Sequence, residues 1–546
     1  MKQYALGVDF GTSSGRVILL EVHTGVEVGS VEVPYPHGVI DQTLPGTGEP
    51  LPIDWALQHP ADWLKVLLDG IPRIVSETGV DPRAIVGIGV DFTSCTVLPA
   101  QSDGTPLCLT ERWRHSKHAW PKLWKHHAAQ QVANRLTDVA HERSEAFVDR
   151  FGGRISSEWY FPKLIEIWLE DRALYDDMAA FLEATDWIVW WLTGHETRQL
   201  CTAGYKAMWS PDDGLPSREY FEAAFPGFSD PSAKIGNAFV PLGTKAGTLR
   251  SELASTLGLP DSVSVAVGNV DSFVSVPGAG VEAPGVFVTV IGTSTCSMLV
   301  DTKEVLLPGI TGCVRDGILP GRFGYEAGQA AVGDMLAWMV EKLSPNWTYT
   351  ELENRAAGFE PGETGLLALD WWNGNRTILA DADLTGAIVG LNLTTTPEHI
   401  YRALLESIAF GSRRIIDNFE DYGLEVRKIV ACGGLAHRSP LLMQLLADTS
   451  GRSVHVPAST EIPARGSALF GAVAAGVFAS IDDAIAATRP ESADIYLPRA
   501  DSVATYDQVY GIYRELYDLL GRRESDLMHR LKRLRTRSSA AAEASR

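Results

Sequence analysis

Two stretches far apart in the chain, YALGVDFGTSSGRVILLEV (4–22) and GVFVTVIGTSTCSMLVD (285–301), carry one pattern: a β-branched apolar run climbs to Gly-Thr-Ser, and a second apolar run leaves it. That is a hairpin closed by a glycine turn. One such hairpin constrains little, because Gly, Ser and Thr populate turns everywhere. Two of them, one near the start of each half of a 546-residue chain, imply a duplicated architecture. At roughly 100–200 residues per domain the length also demands at least two domains.

A tight turn of this composition leaves backbone N–H groups and hydroxyls pointing outward with no bulky side chain in the way, which makes an anion-binding concavity. Two such concavities facing each other can hold a polyphosphate. Asp9, three residues before Thr12, looks misplaced there, since a carboxylate repels phosphate. It fits if Mg²⁺ lies between them, because this ion is commonly held by one or two carboxylates, water and phosphate oxygens.

The intervening segments alternate between strand and helix patterns. IVGIGVDFTSCTVLPA (85–100) reads as a buried strand reaching Asp91, Phe92 and Thr93, and SVAVGNVDSFVSVPGAG (264–280) as a strand leading to Asn269, Asp271 and a small-residue helix. RKIVACGGLAHRSPLLMQLLADTSG (427–451) is a strand, a glycine pair and an amphipathic helix. There the backbone can approach a nucleotide closely and the helix dipole favours its phosphates. No G-x-x-x-x-G-K-[ST] loop occurs in the chain. Short connections between these elements favour two α/β domains with a cleft between them.

Composition excludes several partners. A formal charge of −21 disfavours nucleic acid and anionic membranes. The basic run RRESDLMHRLKRLRTR (522–537) reads as a solvated, fraying C-terminus. Asp9 interrupts the N-terminal apolar run, and nowhere do about 18 apolar residues run together, so neither a signal peptide nor a membrane span is expected. Six scattered cysteines without C-x-x-C suggest reduced thiols and a cytoplasmic setting.

With these pieces the chain resembles the FGGY carbohydrate kinases over nearly its whole length. The matching stretches are DFGTSSGR (9–16), DGTPL (103–107), FLEATDWIVWWLTG (181–194), GNVDSFVSVPGAG (268–280), GTSTCSM (292–298), LTGAIVGLNLTTTPEHIYRALLESIAFG (384–411), CGGLAHRSPLLMQLLAD (432–448) and EIPARGSALFGA (461–472). HGVIDQ (37–42), LWKHHAAQ (123–130), GGRISSEWYFPK (152–163) and AGYKAMW (203–209) resemble the branch acting on L-ribulose. The K-x-x-W pattern of many members is absent, since Lys163 is followed by Trp168 five positions on.

The resemblance implies the two-domain α/β fold of actin, hexokinase and the Hsp70 ATPase (ribonuclease H-like) with an interdomain cleft. The expected division is an N-terminal domain over 1–262, a C-terminal domain over 263–500, and a helix with a disordered tail over 501–546. The implied activity is transfer of the γ-phosphate of ATP, with Mg²⁺, to the terminal hydroxyl of L-ribulose in L-arabinose catabolism. By the same resemblance Asp271 is the catalytic base, and the sugar is bound by Ser94 through its backbone, Lys206, Asp271 and Glu326. The nucleotide is expected along Thr12, Gly292, Thr293, Gly333, Gly434 and Arg438, the last standing where many relatives use asparagine, and the metal at Asp9 and Asp271. A sugar hydroxyl is a poor nucleophile at neutral pH, so a carboxylate within reach must take its proton. Without the resemblance, Asp271 reads equally well as a helix N-cap.

Rival readings remain: a chaperone-like or cytoskeletal ATPase of the same fold, a non-catalytic sugar-binding regulator, or a kinase for D-ribulose or xylulose. A homodimer is compatible with the sequence. His115, His118, His126 and His127 crowd a short, helix-like stretch but lack flanking ligands for zinc. Trp187, Trp190 and Trp191 read as a core-facing helix, and Tyr506, Tyr510, Tyr513 and Tyr517 as a helix face packed on the C-terminal half.

Overall fold

The computed structural model describes residues 2–522 and 526–534. Two seven-stranded sheets organise it. In the first, Tyr4–Phe10 pairs antiparallel with Ser14–Glu21, which pairs antiparallel with Glu27–Pro34. On its other side Tyr4–Phe10 lies parallel to Ile85–Phe92, which in turn lies parallel to Ser264–Ala266. The second sheet repeats these relations. Val286–Ile291 pairs antiparallel with Thr295–Asp301, which pairs antiparallel with Phe323–Ala327. Val286–Ile291 is also parallel to Lys428–Cys432, and that strand to Val454–Pro457. The two hairpins are thus the same element of two copies of one topology.

The inner strands are buried on both faces, as parallel strands covered by helices must be, and YALGVDF and IVGIGVDF are accordingly near-continuous apolar runs. What covers the first sheet comes from far along the chain. Helix Ile462–Ala474 lies on it so closely that a Cβ on Gly7 would stand 1.8 Å from the Ala464 carbonyl oxygen, and one on Gly89 1.8 Å from that of Ser467. Glycine inside these strands is there for backbone approach. The same helix crosses Asp271–Gly278, where a Cβ on Gly466 would stand 2.0 Å from the Val274 carbonyl oxygen. Arg465 adds a hydrogen bond from its guanidinium to the Gly25 carbonyl at 2.7 Å.

The first sheet does not stop at residue 262, since Ser264–Ala266 and Asn269–Val270 both pair with Ile85–Phe92. Helix Ala500–Gly521 buries its four tyrosines against the second half. Tyr506 donates to Glu406 at 2.8 Å, Tyr510 to Asp417 at 2.5 Å and Tyr513 to Asp370 at 3.2 Å. The basic run beyond it is less free than its charge suggests. Met528 is buried, His529 pairs with Asp381 at 2.8 Å and Lys532 with Asp383 at 3.0 Å, so apolar and ionic anchors hold 526–534. Residues 535–546, where a disordered tail was expected, lie outside the described residues.

The crowded histidines sit in turns and a 3₁₀ segment, Lys117–Ala119, rather than on a regular helix. His118 faces Glu170 at 3.0 Å and His126 faces Glu166 at 2.9 Å. Trp187 is a core residue whose indole donates to the Gly104 carbonyl at 2.7 Å, while Trp190 and Trp191 are half-buried. Among the described residues no helix is long and apolar enough to cross a membrane.

Candidate active site

Three carboxylates gather at the C-terminal ends of inner strands of the first sheet. Asp9 and Asp91 are register partners in parallel strands, and Asp271 follows Val270, the register partner of Phe92. Asp271 opens its helix as the first helical residue, its Oδ1 accepting from the Ser272 N–H at 2.6 Å, while Val270 occupies the cap position. The N-cap reading therefore does not hold. Burial, then the Asp9 charge, push the Asp271 carboxyl up to about 7. Burial also raises Asp9, against the relief given by Asp91 and by Arg16, whose guanidinium stands 3.7 Å away. Asp91, fully buried, is driven well above the carboxylate range by burial and the Asp9 charge, and accepts from Ser467 Oγ at 2.5 Å.

The anionic forms of Asp9 and Asp271 are thus both penalised by burial, and that of Asp271 also by the Asp9 charge. A divalent cation between them would relieve both, so the donor set fits one. Among the described residues no group of three His, Cys, Asp or Glu side chains is arranged to hold an ion alone. Such an ion needs water and phosphate oxygens as well, the usual coordination of Mg²⁺.

Lys206 and Glu326 meet from opposite halves. Lys206 ends helix Leu200–Lys206, Glu326 lies on strand Phe323–Ala327, and their Nζ and Oε2 stand 2.7 Å apart. Both are buried, at 5% and 7% exposure, which removes the alternative that Lys206 is a surface charge. Burial opposes its ammonium, but Glu326 more than offsets this, and Lys206 is held above the ordinary lysine range. Both charges are felt by the Asp271 carboxyl. Ser94 lies in the turn beyond Phe92, next to Cys95 in left-handed conformation (φ 56°). Its Oγ is buried with no hydrogen-bond partner. The buried Lys163 ammonium fixes this turn by donating to the carbonyls of Cys95 at 2.7 Å and Leu123 at 2.9 Å.

The two hairpin turns are closed alike, Gly11 N–H donating to the Ser14 carbonyl and Gly292 N–H to the Ser294 carbonyl, each at 3.0 Å. Thr12 is held by the Trp124 indole, which donates to its Oγ1 at 3.1 Å, and by Gln58, which donates to its carbonyl at 2.8 Å. Gly292, Thr293 and Gly333 form one unit, with Gly333 N–H donating to the Gly292 carbonyl at 3.0 Å and Val332 N–H to Thr293 at 2.9 Å. A Cβ on Gly333 would stand 2.7 Å from the Gly292 carbonyl oxygen, so the approach requires glycine. Gly434 opens its short helix beside the end of Val286–Ile291, and the exposed Arg438 guanidinium folds back onto the Gly434 carbonyl at 3.1 Å. Lys125, adjacent to Trp124, reaches across by charge to Asp334, next to Gly333.

Sequence reasoning passed over Asp91 as a site residue, although a signal was present: GVDF occurs at both 7–10 and 89–92. The structure sets the two copies in register, with Phe10 stacked on Phe92 at 4.6 Å. It also passed over Glu158 and Arg376, an ion pair from opposite halves at 3.7 Å, for which no local pattern exists.

Two family models match the chain: the N-terminal domain of the FGGY family of carbohydrate kinases over residues 4–278, and the C-terminal domain of that family over residues 287–475. A protein named ribulokinase from Anoxybacillus flavithermus is 48% identical over 558 residues, covering 99% of both chains. One of the same name from Geobacillus thermodenitrificans is likewise 48% identical, with 99% of each chain covered. Among solved structures, xylulose kinase from Rhodospirillum rubrum superposes with a TM-score of 0.78 at 22% identity, over 95% of this chain and 99% of its own, a likeness that shows the fold. A repeated sheet with paired glycine hairpins and a carboxylate cluster, matched over both halves by models of one family, leaves a single assignment: the chain belongs to the FGGY family of carbohydrate kinases.

Proposed function

We propose that this carbohydrate kinase transfers the γ-phosphate of ATP to the terminal hydroxyl of L-ribulose, with Asp271 as general base. The observation carrying the mechanism is the Asp271 carboxyl, pushed up to about 7 and flanked by the Lys206–Glu326 pair. The names of the relatives support the substrate. A base with an ordinary carboxylate pKa would be a poor match for a hydroxyl proton at neutral pH, whereas one near 7 is both available and basic enough.

Lys206 donates to a sugar hydroxyl and Glu326 accepts from another, which orients the chain so that its terminal hydroxyl faces Asp271. The backbone at Ser94, in a turn pinned through Lys163, supplies a further sugar contact. As the hydroxyl oxygen bonds to the γ-phosphorus, its proton passes to Asp271, the bond from the γ-phosphorus to the β–γ bridging oxygen breaks, and ADP departs with that oxygen. The hairpin N–H groups of Thr12, Ser13, Thr293 and Ser294 cradle the polyphosphate, with Gly333 keeping that surface bare and Gly434 and Arg438 beside the adenosine. Mg²⁺ held through Asp9 and Asp271 would neutralise phosphate charge. Catalysis on this account is positioning and charge neutralisation around one proton transfer.

The test is ADP release by the purified enzyme on a panel of L-ribulose, D-ribulose, xylulose and polyols. The highest kcat/KM on L-ribulose supports the proposal; a preference for another ketopentose would retain the mechanism and replace the substrate.

A further inference from the structure

We propose that Glu158 and Arg376 are a second, specificity-determining sugar-binding pair that contacts the end of the ketopentose away from the phosphorylated hydroxyl. This deepens the function proposed above and rests on it. The two side chains come from opposite halves. Glu158 lies just before helix Tyr160–Glu170, and Arg376 lies beyond strand Leu367–Leu369. Arg376 Nη2 stands 3.7 Å from Glu158 Oε1, an ion pair too long to be a hydrogen bond, and each side chain is 25% exposed. Among the described residues neither side chain makes any hydrogen bond, and the other partner of Glu158 is His127 at 3.9 Å.

Two largely buried charges that leave their hydrogen-bonding capacity unspent are costly unless something else uses it. A guanidinium offers five donors and a carboxylate only acceptors. A hydroxyl group both donates and accepts, so it can bridge a gap of this size, giving its proton to Glu158 and taking one from Arg376. Glu158 disfavours a phosphate in this gap, whereas a neutral hydroxyl satisfies both charges.

The electrostatic neighbourhood orders the site. Lys206 senses both Glu326 and Glu158, and Arg376 senses both Glu158 and Glu326, so the two ion pairs border one space. Asp271 senses Lys206 and Glu326, and Thr377 Oγ1, beside Arg376 in sequence, accepts from the Gly328 N–H at 2.7 Å, two residues beyond Glu326. Along this line the reacting hydroxyl sits at Asp271, the middle of the sugar at Lys206–Glu326, and its other end at Glu158–Arg376.

The experiment uses the full-length enzyme, Glu158→Gln and Arg376→Met, assayed with L-ribulose and with 1-deoxy-L-ribulose, which lacks the hydroxyl at the end assigned to this pair. Wild type is expected to show a roughly ten- to hundred-fold higher KM for the deoxy sugar, as expected for losing a hydrogen bond to a charged group. Each variant should raise the KM for L-ribulose by a similar factor and bring the two sugars within about twofold, with the KM for ATP unchanged. Variants that still discriminate between the sugars as wild type does, or that raise both sugar KM values together with that for ATP and melt at lower temperature, would overturn the assignment and leave the pair a structural latch. If wild type turns over no ketopentose, the proposed function falls, and this inference with it; turnover without discrimination refutes the inference alone.

Discussion

Replacing Asp271 by asparagine should slow the enzyme and stabilise its ligand-free form, and the two effects have one cause. The Asp271 carboxyl is raised from 3.8 to about 7, chiefly by burial and then by Asp9, so the fold is strained by its negative charge. Protonation of Asp271 favours the folded state. That benefit is complete below about pH 4, where the unfolded chain is also protonated, and is lost as pH rises through 7. Three pH units at about 1.36 kcal/mol each set a ceiling near 4 kcal/mol above pH 8. Asp271 is only partly buried, and solvent screening reduces this to about 2 kcal/mol. Asparagine carries no charge at any pH, so it escapes the penalty, but it cannot accept the hydroxyl proton, which should cost about 10²–10⁴-fold in kcat. The assay is thermal unfolding of both proteins in chelator, without nucleotide or sugar, at pH 8, 5.5 and 4, with kcat measured in parallel under magnesium. The advantage of Asp271→Asn should be largest at pH 8, about half as large at pH 5.5 and absent near pH 4. In wild type kcat/KM should rise with pH through about 7. A stability difference independent of pH, or near-normal kcat in the variant, would refute the reasoning.

Lys206→Met should raise the KM for sugar roughly ten- to hundred-fold with little change for ATP, read from both KM values at saturating partner substrate. Because it strands Glu326 in a buried setting it should also lower the melting temperature, and Lys206→Met/Glu326→Gln should recover part of that loss without recovering the sugar KM. Gly89→Ala should reduce soluble yield and melting temperature sharply, since its methyl group would meet the Ser467 carbonyl oxygen at 1.8 Å and only backbone movement can relieve it; an unchanged melt would mean that this helix–sheet contact is looser than described. Small-angle scattering should show a smaller radius of gyration with sugar and a non-hydrolysable ATP analogue together, because each half carries one phosphate hairpin and one member of each sugar-facing ion pair; an unchanged radius would count against closure.

The sequence by itself determined the local chemistry. Each hairpin is closed within four residues, so Gly-Thr-Ser with apolar flanks suffices to specify it, and Asp9 and Asp271 stand out because each ends an apolar run. The tyrosine face of Ala500–Gly521 is legible for the same reason, helical periodicity being a property of neighbours. Tertiary structure decided which distant residues meet. The GVDF repeat at 7–10 and 89–92 becomes a carboxylate pair only because parallel pairing sets the copies in register, and its second member is held by Ser467, 376 positions away. Lys206 and Glu326 are separated by 120 positions, and neither has a neighbour in sequence that announces the other. Helix Ile462–Ala474 reads as an ordinary small-residue helix, yet it covers the sheet of the opposite half. Periodicity and turn chemistry encode contacts within a few residues, whereas burial and ion pairing depend on which surfaces the whole chain brings together, and only the folded topology contains that information.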